Sequence, residues 1–432
     1  MKMFYTLFLL GLGLFTGCSE SPTDHEVEKP VLTVDDMSCT EGWLNLSIPP
    51  DMLPAQVLLL QDNQTVMSIS VVTTDTLLYI PSLTHSKVYV FQASITPPNN
   101  SAIFSNVTNL TTLSLTGNSF SWTKHYLGSA EINHSEIRDI AIISENDIWA
   151  VGLFVLPDTN LAGYSNYNAA HWDGTGWEYK KLWFEAPGNY QSVPALTGIL
   201  AFSHDNLFMM SEWGTTFYDG KNQSKTENGP YWTTTIWGSD SSNIYAGGYG
   251  GKIYHFNGTD WTPIETGTDL FVQSITGDFN KRTKSYEIMA FCVDFGNELR
   301  QKLLRIDGLK STEFSMQGIT NWILKPWFIA GKKFYASGSA LYYKGYGAQN
   351  WEQLQIPGTD NLYSIEGDGF NNIFAGGANA RLFHFNGLEW KVILSGGAYD
   401  SWYGTIKIKD NIIVVEGIDG RQAVVTILKN KI

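Results

Sequence analysis

From residue 30 onward, apolar and polar positions alternate in short runs, and clusters of Gly, Asn, Asp and Ser separate them. WLNLSI (43–48), QVLLL (56–60), LLYI (77–80) and VYVFQASI (88–95) each place one apolar face on a period of two. That period predicts half-buried strands, and their spacing predicts a small β-sandwich over residues 30–115.

Beyond residue 118 the pattern repeats. The phrase His-aromatic-Asp/Asn-Gly-x-x-Trp occurs as HWDGTGW (171–177), HFNGTDW (255–261) and HFNGLEW (384–390). Its starts lie 84 and 129 residues apart, close to two and three multiples of a unit of about 42. Apolar pairs eight residues apart precede the phrases, at Ile140/Ile148, Ile236/Ile244 and Ile365/Ile373, and recur at Ile199/Leu207 without a phrase. Their second members open runs such as DIWAVG (147–152), NIYAGG (243–248) and NIFAGG (372–377). Weaker copies (KFYASG at 333–338, VQSITG at 272–277, and YGTIKIKDNIIVVEG at 403–417) bring the count to seven units, beginning near 137, 195, 232, 271, 319, 362 and 402. Each predicts four strands, except that the last stops after its third. SFSWTKHYLG (119–128) has the character of the missing fourth strand. Pairing residues 119–127 with the C-terminal unit would close the ring and remove an open sheet edge.

A unit near 42 residues with four short strands is the signature of a β-propeller blade. The phrase resembles repeats of secreted bacterial propellers of the pattern D-I-W-A-V-G … H-x-D-G-x-x-W. The expected fold class is all-β: a seven-bladed β-propeller over 119–432, preceded by a small sandwich. The sandwich resembles a fibronectin type III domain in Leu83, six positions before Tyr89 in a tyrosine-corner layout, and in the closing run SNVTNLTTLS (105–114). Ile48 stands where that family carries a core Trp on its second strand, and Trp43 is the candidate to fill the volume. The resemblance implies spacing and presentation.

The first residues read as a targeting segment. Lys2 precedes the apolar run FYTLFLLGLGLF (4–15), which is too short to span a bilayer as a helix. It ends in Phe15-Thr16-Gly17-Cys18, which resembles a bacterial lipobox. This implies a signal peptide over 1–17, a lipid on Cys18, a flexible tether over 18–29 and an outer-membrane lipoprotein of a Gram-negative cell envelope, facing the periplasm or the surface. Cys39 and Cys292 fall in different predicted domains, so no disulfide is expected. The net charge of −14 argues against nucleic acid or an anionic membrane surface as partner.

The phrase itself predicts architecture. Asp173-Gly174, Asn257-Gly258 and Asn386-Gly387 should turn hairpins with positive φ at central positions. His171, His255 and His384 hold one position in three separated blades and cannot converge on one metal or nucleophile. Among inner-strand carboxylates, Asp139 and Glu366 could form a catalytic pair. No Gly-x-Ser-x-Gly elbow, His-Glu-x-x-His, P-loop or dense Asp loop occurs, so neither cofactor nor metal, calcium included, is expected.

Aromatic loops are the better lead. Two long segments, 153–168 and 183–194, should rise on one face with Phe154, Tyr164, Tyr167, Trp183, Phe184 and Tyr190. Trp213, Tyr249 and Trp402 belong near the same rim. Such loops suit stacking on sugar rings or a protein hot spot. The expected function is a non-catalytic, monomeric binding or scaffold protein for glycan or protein. A glycan-active propeller enzyme, hydrolase or lyase, is the alternative.

Overall fold

A computed structural model of the chain describes residues 28–431, apart from 99, 132–133, 159–162, 187–189, 226–228, 297, 357, 359 and 398–399. The signal segment 1–17, Cys18 and most of the tether lie outside the described residues. No helix among the described residues is long and apolar enough to cross a membrane.

Residues 31–111 form two sheets. One joins Val31–Met37, Gly42–Ser47 and Asp75–Ile80; the other is five-stranded and centred on Ala55–Gln61 and Val88–Thr96. Period-two burial over Ala55–Gln61 follows from the pleat, which sends alternate side chains to one face. The Tyr89 hydroxyl accepts the Thr84 N–H at 2.8 Å, next to buried Leu83.

Two compact units divide the chain. The first comprises the described part of 1–33 with 45–76 and 90–108; the second comprises 34–44, 77–89 and 109–432. Within the second unit Trp43 is fully buried, but it does not replace the missing core Trp. Leu44 and Leu46 take the alternating buried positions, so Trp43 points from the opposite face. There it stacks on Phe370 at 5.2 Å and meets Tyr79 at 5.5 Å.

The second unit holds seven four-stranded sheets among the described residues. We number them I to VII by their first strands: Glu136–Ser144, Leu196–Ser203, Thr233–Asp240, Phe271–Asn280, Ile323–Ile329, Leu362–Gly369 and Trp402–Lys409. Each first strand packs beside the next, and that of VII packs beside that of I, so the sheets form a closed ring around a channel. In VII the fourth strand comes from upstream: Phe120–Leu127 pairs antiparallel with Gln422–Asn430. Apolar clusters fill the wedges between neighbouring sheets. Between I and VII, for example, Ile140, Ile148 and Phe154 meet Val414 and Val425.

The segment 153–168 is not a loop along most of its length. The second strand of sheet I continues to Asp158, and the third begins at Gly163. Pairs such as Phe154↔Tyr167 and Leu156↔Ser165 extend the hairpin. The segment 183–194 likewise contains a small hairpin, Phe184–Ala186 with Tyr190–Ser192.

Candidate functional site

The repeated phrase builds the same local structure three times. Each His sits on a third strand and bonds through Nε2 to the residue that opens the second strand: His171 to Asp147 at 2.9 Å, His255 to Asn243 at 2.9 Å, His384 to Asn372 at 3.0 Å. Each ring stacks at 4.5 Å on the aromatic two positions beyond that residue: Trp149, Tyr245 and Phe374. The turns close through the Asx carbonyl or carboxylate. Asp173 Oδ1 accepts the N–H groups of Thr175 and Gly176 at 2.8 and 2.9 Å, and Asn257 and Asn386 do the same. Positive φ falls on the glycine alone in each turn, and the Asx residue keeps negative φ. The Thr175 hydroxyl, which donates to the same oxygen at 2.7 Å, and then these N–H bonds hold the exposed Asp173 carboxylate down at about 2. Burial lowers His384 to about 4, so it stays neutral.

The channel mouth is built differently. Every first strand carries a β-bulge near its start. A bulge inserts an unpaired residue into a strand and re-aims its side chain. The inserted residues are Arg138 in I, Thr197 in II, Thr234 in III and Gln273 in IV. They are Leu324 in V, Tyr363 in VI and Gly404 in VII, where Thr405 opposite Glu416 also leaves the ladder. All of them line one cavity of about 450 Å³ at the head of the channel. One residue of each sheet therefore faces a shared space, and its identity varies around the ring, with only II and III carrying the same residue type.

Charged groups lie among these residues. Lys325 Nζ bonds Glu366 at 3.0 Å, and Lys407 Nζ lies 3.6 Å from Asp139. Asp139 is buried and also ties two sheets together, because its Oδ2 accepts the Ile199 N–H at 3.0 Å. Burial alone would lower the Lys407 ammonium, but the Asp139 and Glu366 charges outweigh it and raise it. Glu416, on the second strand of VII, is 3% exposed and lines the same cavity. Its Oε1 accepts the Thr405 N–H, while Oε2 has no partner. Burial pushes this carboxyl up to about 8, and the Asp139 and Glu136 charges add to the shift. Asp139 and Glu366 thus share one cavity, but each is held by a lysine. Among the described residues, no group of His, Cys, Asp and Glu is arranged to hold a metal ion.

The predicted aromatic residues divide. Phe154 is fully buried and Phe184 is 5% exposed, so neither belongs to a binding face. Phe154 fills the wedge between sheets I and VII, and Phe184 packs with Leu182 and Leu196 between I and II. Tyr167 is pinned by Tyr179 at 5.8 Å and by Lys181 over its ring. Trp213 is half-buried against the core. Tyr164, Trp183, Tyr190 and Tyr249 are exposed. Tyr249 meets Trp232 at 6.4 Å and Phe271 at 5.0 Å. Trp402 meets Tyr363 at 6.1 Å. Trp232, Phe271, Trp322 and Trp402 each occupy the position just before the first buried pair of their inner strand, in III, IV, V and VII.

The aromatic register was missed in the sequence, and so were the bulges and Glu416. A signal existed for the bulges. The first two core positions of each inner strand are three apart (137/140, 196/199, 272/275, 362/365), where an unbroken pleat would give two.

An all-β ring of four-stranded sheets around a channel is a propeller, and solved structures carry the same fold. The structure of YCF48 bound to D1 peptide is similar with a TM-score of 0.55 at 13% identity, covering 74% of this chain and 100% of that one. The extracellular domain of the hybrid two-component system BT4673 from B. thetaiotaomicron is similar with a TM-score of 0.51 at 14% identity, covering 71% of this chain and 39% of that one. The sequence matches no protein-family model and no curated protein. The fold is an all-β propeller.

Proposed function

We propose that this chain is a non-catalytic binding or scaffold protein that engages its ligand, glycan or protein, at the channel-mouth face of a seven-bladed propeller. One observation carries the reading: a bulge in every inner strand turns a residue of each of the seven sheets, of six kinds in all, into one polar cavity. The exposed aromatics Trp232 and Tyr249 lie at the same end. A peptide complex of the similarly folded YCF48 fits binding at such a fold. The domain reading is a fibronectin type III-like spacer over 30–115 and a propeller over 119–432. The tyrosine-corner bond at Tyr89 and the pairing of Phe120–Leu127 support it. The lipobox-like sequence before Cys18 supports export, a lipid anchor and an outer-membrane place in a Gram-negative envelope.

The test is a glycan array and a pull-down with the full-length chain, repeated with Trp232→Ala, Tyr249→Ala and Trp183→Ala. A ligand should be captured by the parent and lost in at least one variant whose circular dichroism is unchanged. A ligand held equally by all three variants and by channel-lining variants would remove this face from the function.

The glycan-active enzyme is a second reading, favoured by three carboxyl groups in one cavity with Glu416 protonated near neutrality. Against it, Lys407 and Lys325 hold Asp139 and Glu366, so neither carboxylate is free as a base. Release of reducing ends from captured glycans would reverse this order.

A further inference from the structure

The charges at the channel mouth balance. Arg138 Nε donates to Glu136 at 2.8 Å, Lys325 faces Glu366, and Lys407 faces Asp139. Glu416 is the exception. It is buried, lines the cavity and leaves Oε2 unbonded. A buried polar atom without a partner destabilises the fold that keeps it. Sheet VII keeps this residue where sheets I, III and VI have Val151, Gly247 and Gly376. The fold also makes room for it: the residue inserted at the bulge of VII is Gly404, and a Cβ there would run into the Glu416 carboxyl.

We propose that this cavity binds a neutral, hydroxyl-rich ligand, the terminal one or two rings of a saccharide, and that Glu416 Oε2 is one of its contacts. This rests on the binding reading above and gives it a ligand class. An anion entering here would have to displace a carboxylate already paired with each cation. An apolar ligand would strip water from three ion pairs and give nothing back. A hydroxyl group both donates and accepts, so it can bond to an ammonium, a carboxylate or a protonated carboxyl in turn. With its carboxyl held up to about 8, Glu416 offers an O–H as well as an oxygen acceptor. Thr234, Gln273 and Ser364 extend the same bonding around the wall, and the aromatic side chains of Trp237 and Tyr363 line it as apolar surface for the C–H side of a sugar. The volume of about 450 Å³ falls within the roughly 300–1,000 Å³ of small-molecule sites.

The experiment uses the full-length chain in detergent. Saturation-transfer NMR and titration calorimetry are run with glucose, galactose, mannose, N-acetylglucosamine, cellobiose and maltose, and with glucuronate and galacturonate. At least one neutral sugar should bind. Lys407→Met and Glu416→Leu should weaken it at least tenfold, while Glu416→Gln, which stays neutral and keeps a donor and an acceptor, stays within threefold. If Glu416→Leu does not fold, Gln273→Leu and Thr234→Val carry the same expectation of at least a threefold loss. Uronates binding tenfold tighter than their neutral counterparts would overturn the neutral class. So would sugar binding that survives Lys407→Met and Gln273→Leu unchanged, or no sugar binding at all. A protein ligand lost in Trp232→Ala but unaffected by Lys407→Met would overturn this inference and leave the binding reading standing. Absence of every ligand, on the glycan array and in the pull-down alike, would remove both.

Discussion

The phrase turns and the inner-strand bulges are both repeated features of one ring, yet they do opposite things. In the turns, the residue types repeat and so do the bonds. His171, His255 and His384 each reach back to the start of a neighbouring strand, and each Asx carbonyl or carboxylate closes its own loop. In the bulges the backbone repeats while the side chain varies, from Arg138 through Gln273 to Tyr363. Identical chemistry at separated positions holds a structure together. Different chemistry at converging positions can recognise something. The conspicuous motif is therefore the scaffold, and the inconspicuous one builds the site.

The sharpest way to test that contrast is pH. In the unfolded chain the Glu416 carboxyl has its ordinary value of 4.5, and in the fold it keeps its proton up to about 8. Between those values the folded state binds one more proton than the unfolded state, so stability falls as pH rises. The full window corresponds to as much as about 5 kcal/mol. Glu416→Gln should remove that slope, making the variant the more stable protein at pH 8 and nearly equal to the parent near pH 4.5. Urea midpoints across this range measure it. Parallel pH profiles for the two proteins would mean that the mouth holds no uncompensated carboxyl.

The turns should answer to backbone instead. Gly387 has φ +100°, and a Cβ there would strike Cys39 Sγ and the Asn371 side chain. Gly258 has nearly the same φ, +99°, but its Cβ would meet only Ser242, at 3.0 Å. Gly387→Ala should therefore cost about 3 kcal/mol and Gly258→Ala nearer 1 kcal/mol, the two ends of the range for strained positive-φ positions. Equal losses would mean that φ alone governs the turn.

How legible these regions were in the sequence follows from the same difference. The all-β class and the propeller could be read because a fixed period in sequence is a fixed unit in space. HFNGTDW and HFNGLEW marked that unit by repeating. Glu416 could not be read. It lies in IIVVEG, an apolar second strand like the others, and its exposure to the cavity depends on a bulge in another strand. Phe154 and Phe184 were misplaced because aromatic residues between turn signals look alike whether they cap a loop or fill a wedge. Only the pairing Phe154↔Tyr167 shows that the strand continues.

Within the phrase, burial should grade the effect of losing the histidine. His384 is fully buried and bonds Asn372 at 3.0 Å and Asn118 at 2.8 Å. The His171 side chain is 25% exposed, and water can reach its partner Asp147. His384→Phe should cost about 2 kcal/mol and His171→Phe under about 1 kcal/mol, because the two bonds of the fully buried His384 meet less competition from water than the single bond of His171. Denaturant midpoints of the two variants give the comparison directly. A larger loss at His171 would point to the His171–Asp147 pair as a stronger bond than its exposure allows.

The smallest effect on folding should separate the regions most cleanly. Gln273 faces the cavity, and Thr259 closes a phrase turn on the surface. Truncating either to alanine removes no buried apolar volume, so each should change stability by no more than about 0.5 kcal/mol. Binding should then tell them apart: Gln273→Ala weakens the captured ligand at least threefold, and Thr259→Ala leaves it unchanged. The prediction needs no knowledge of the ligand, only the same one measured on both variants. Equal affinities would show that the bulge residues vary without consequence. A loss at Thr259 alone would move recognition from the channel mouth to the outer edge of the ring.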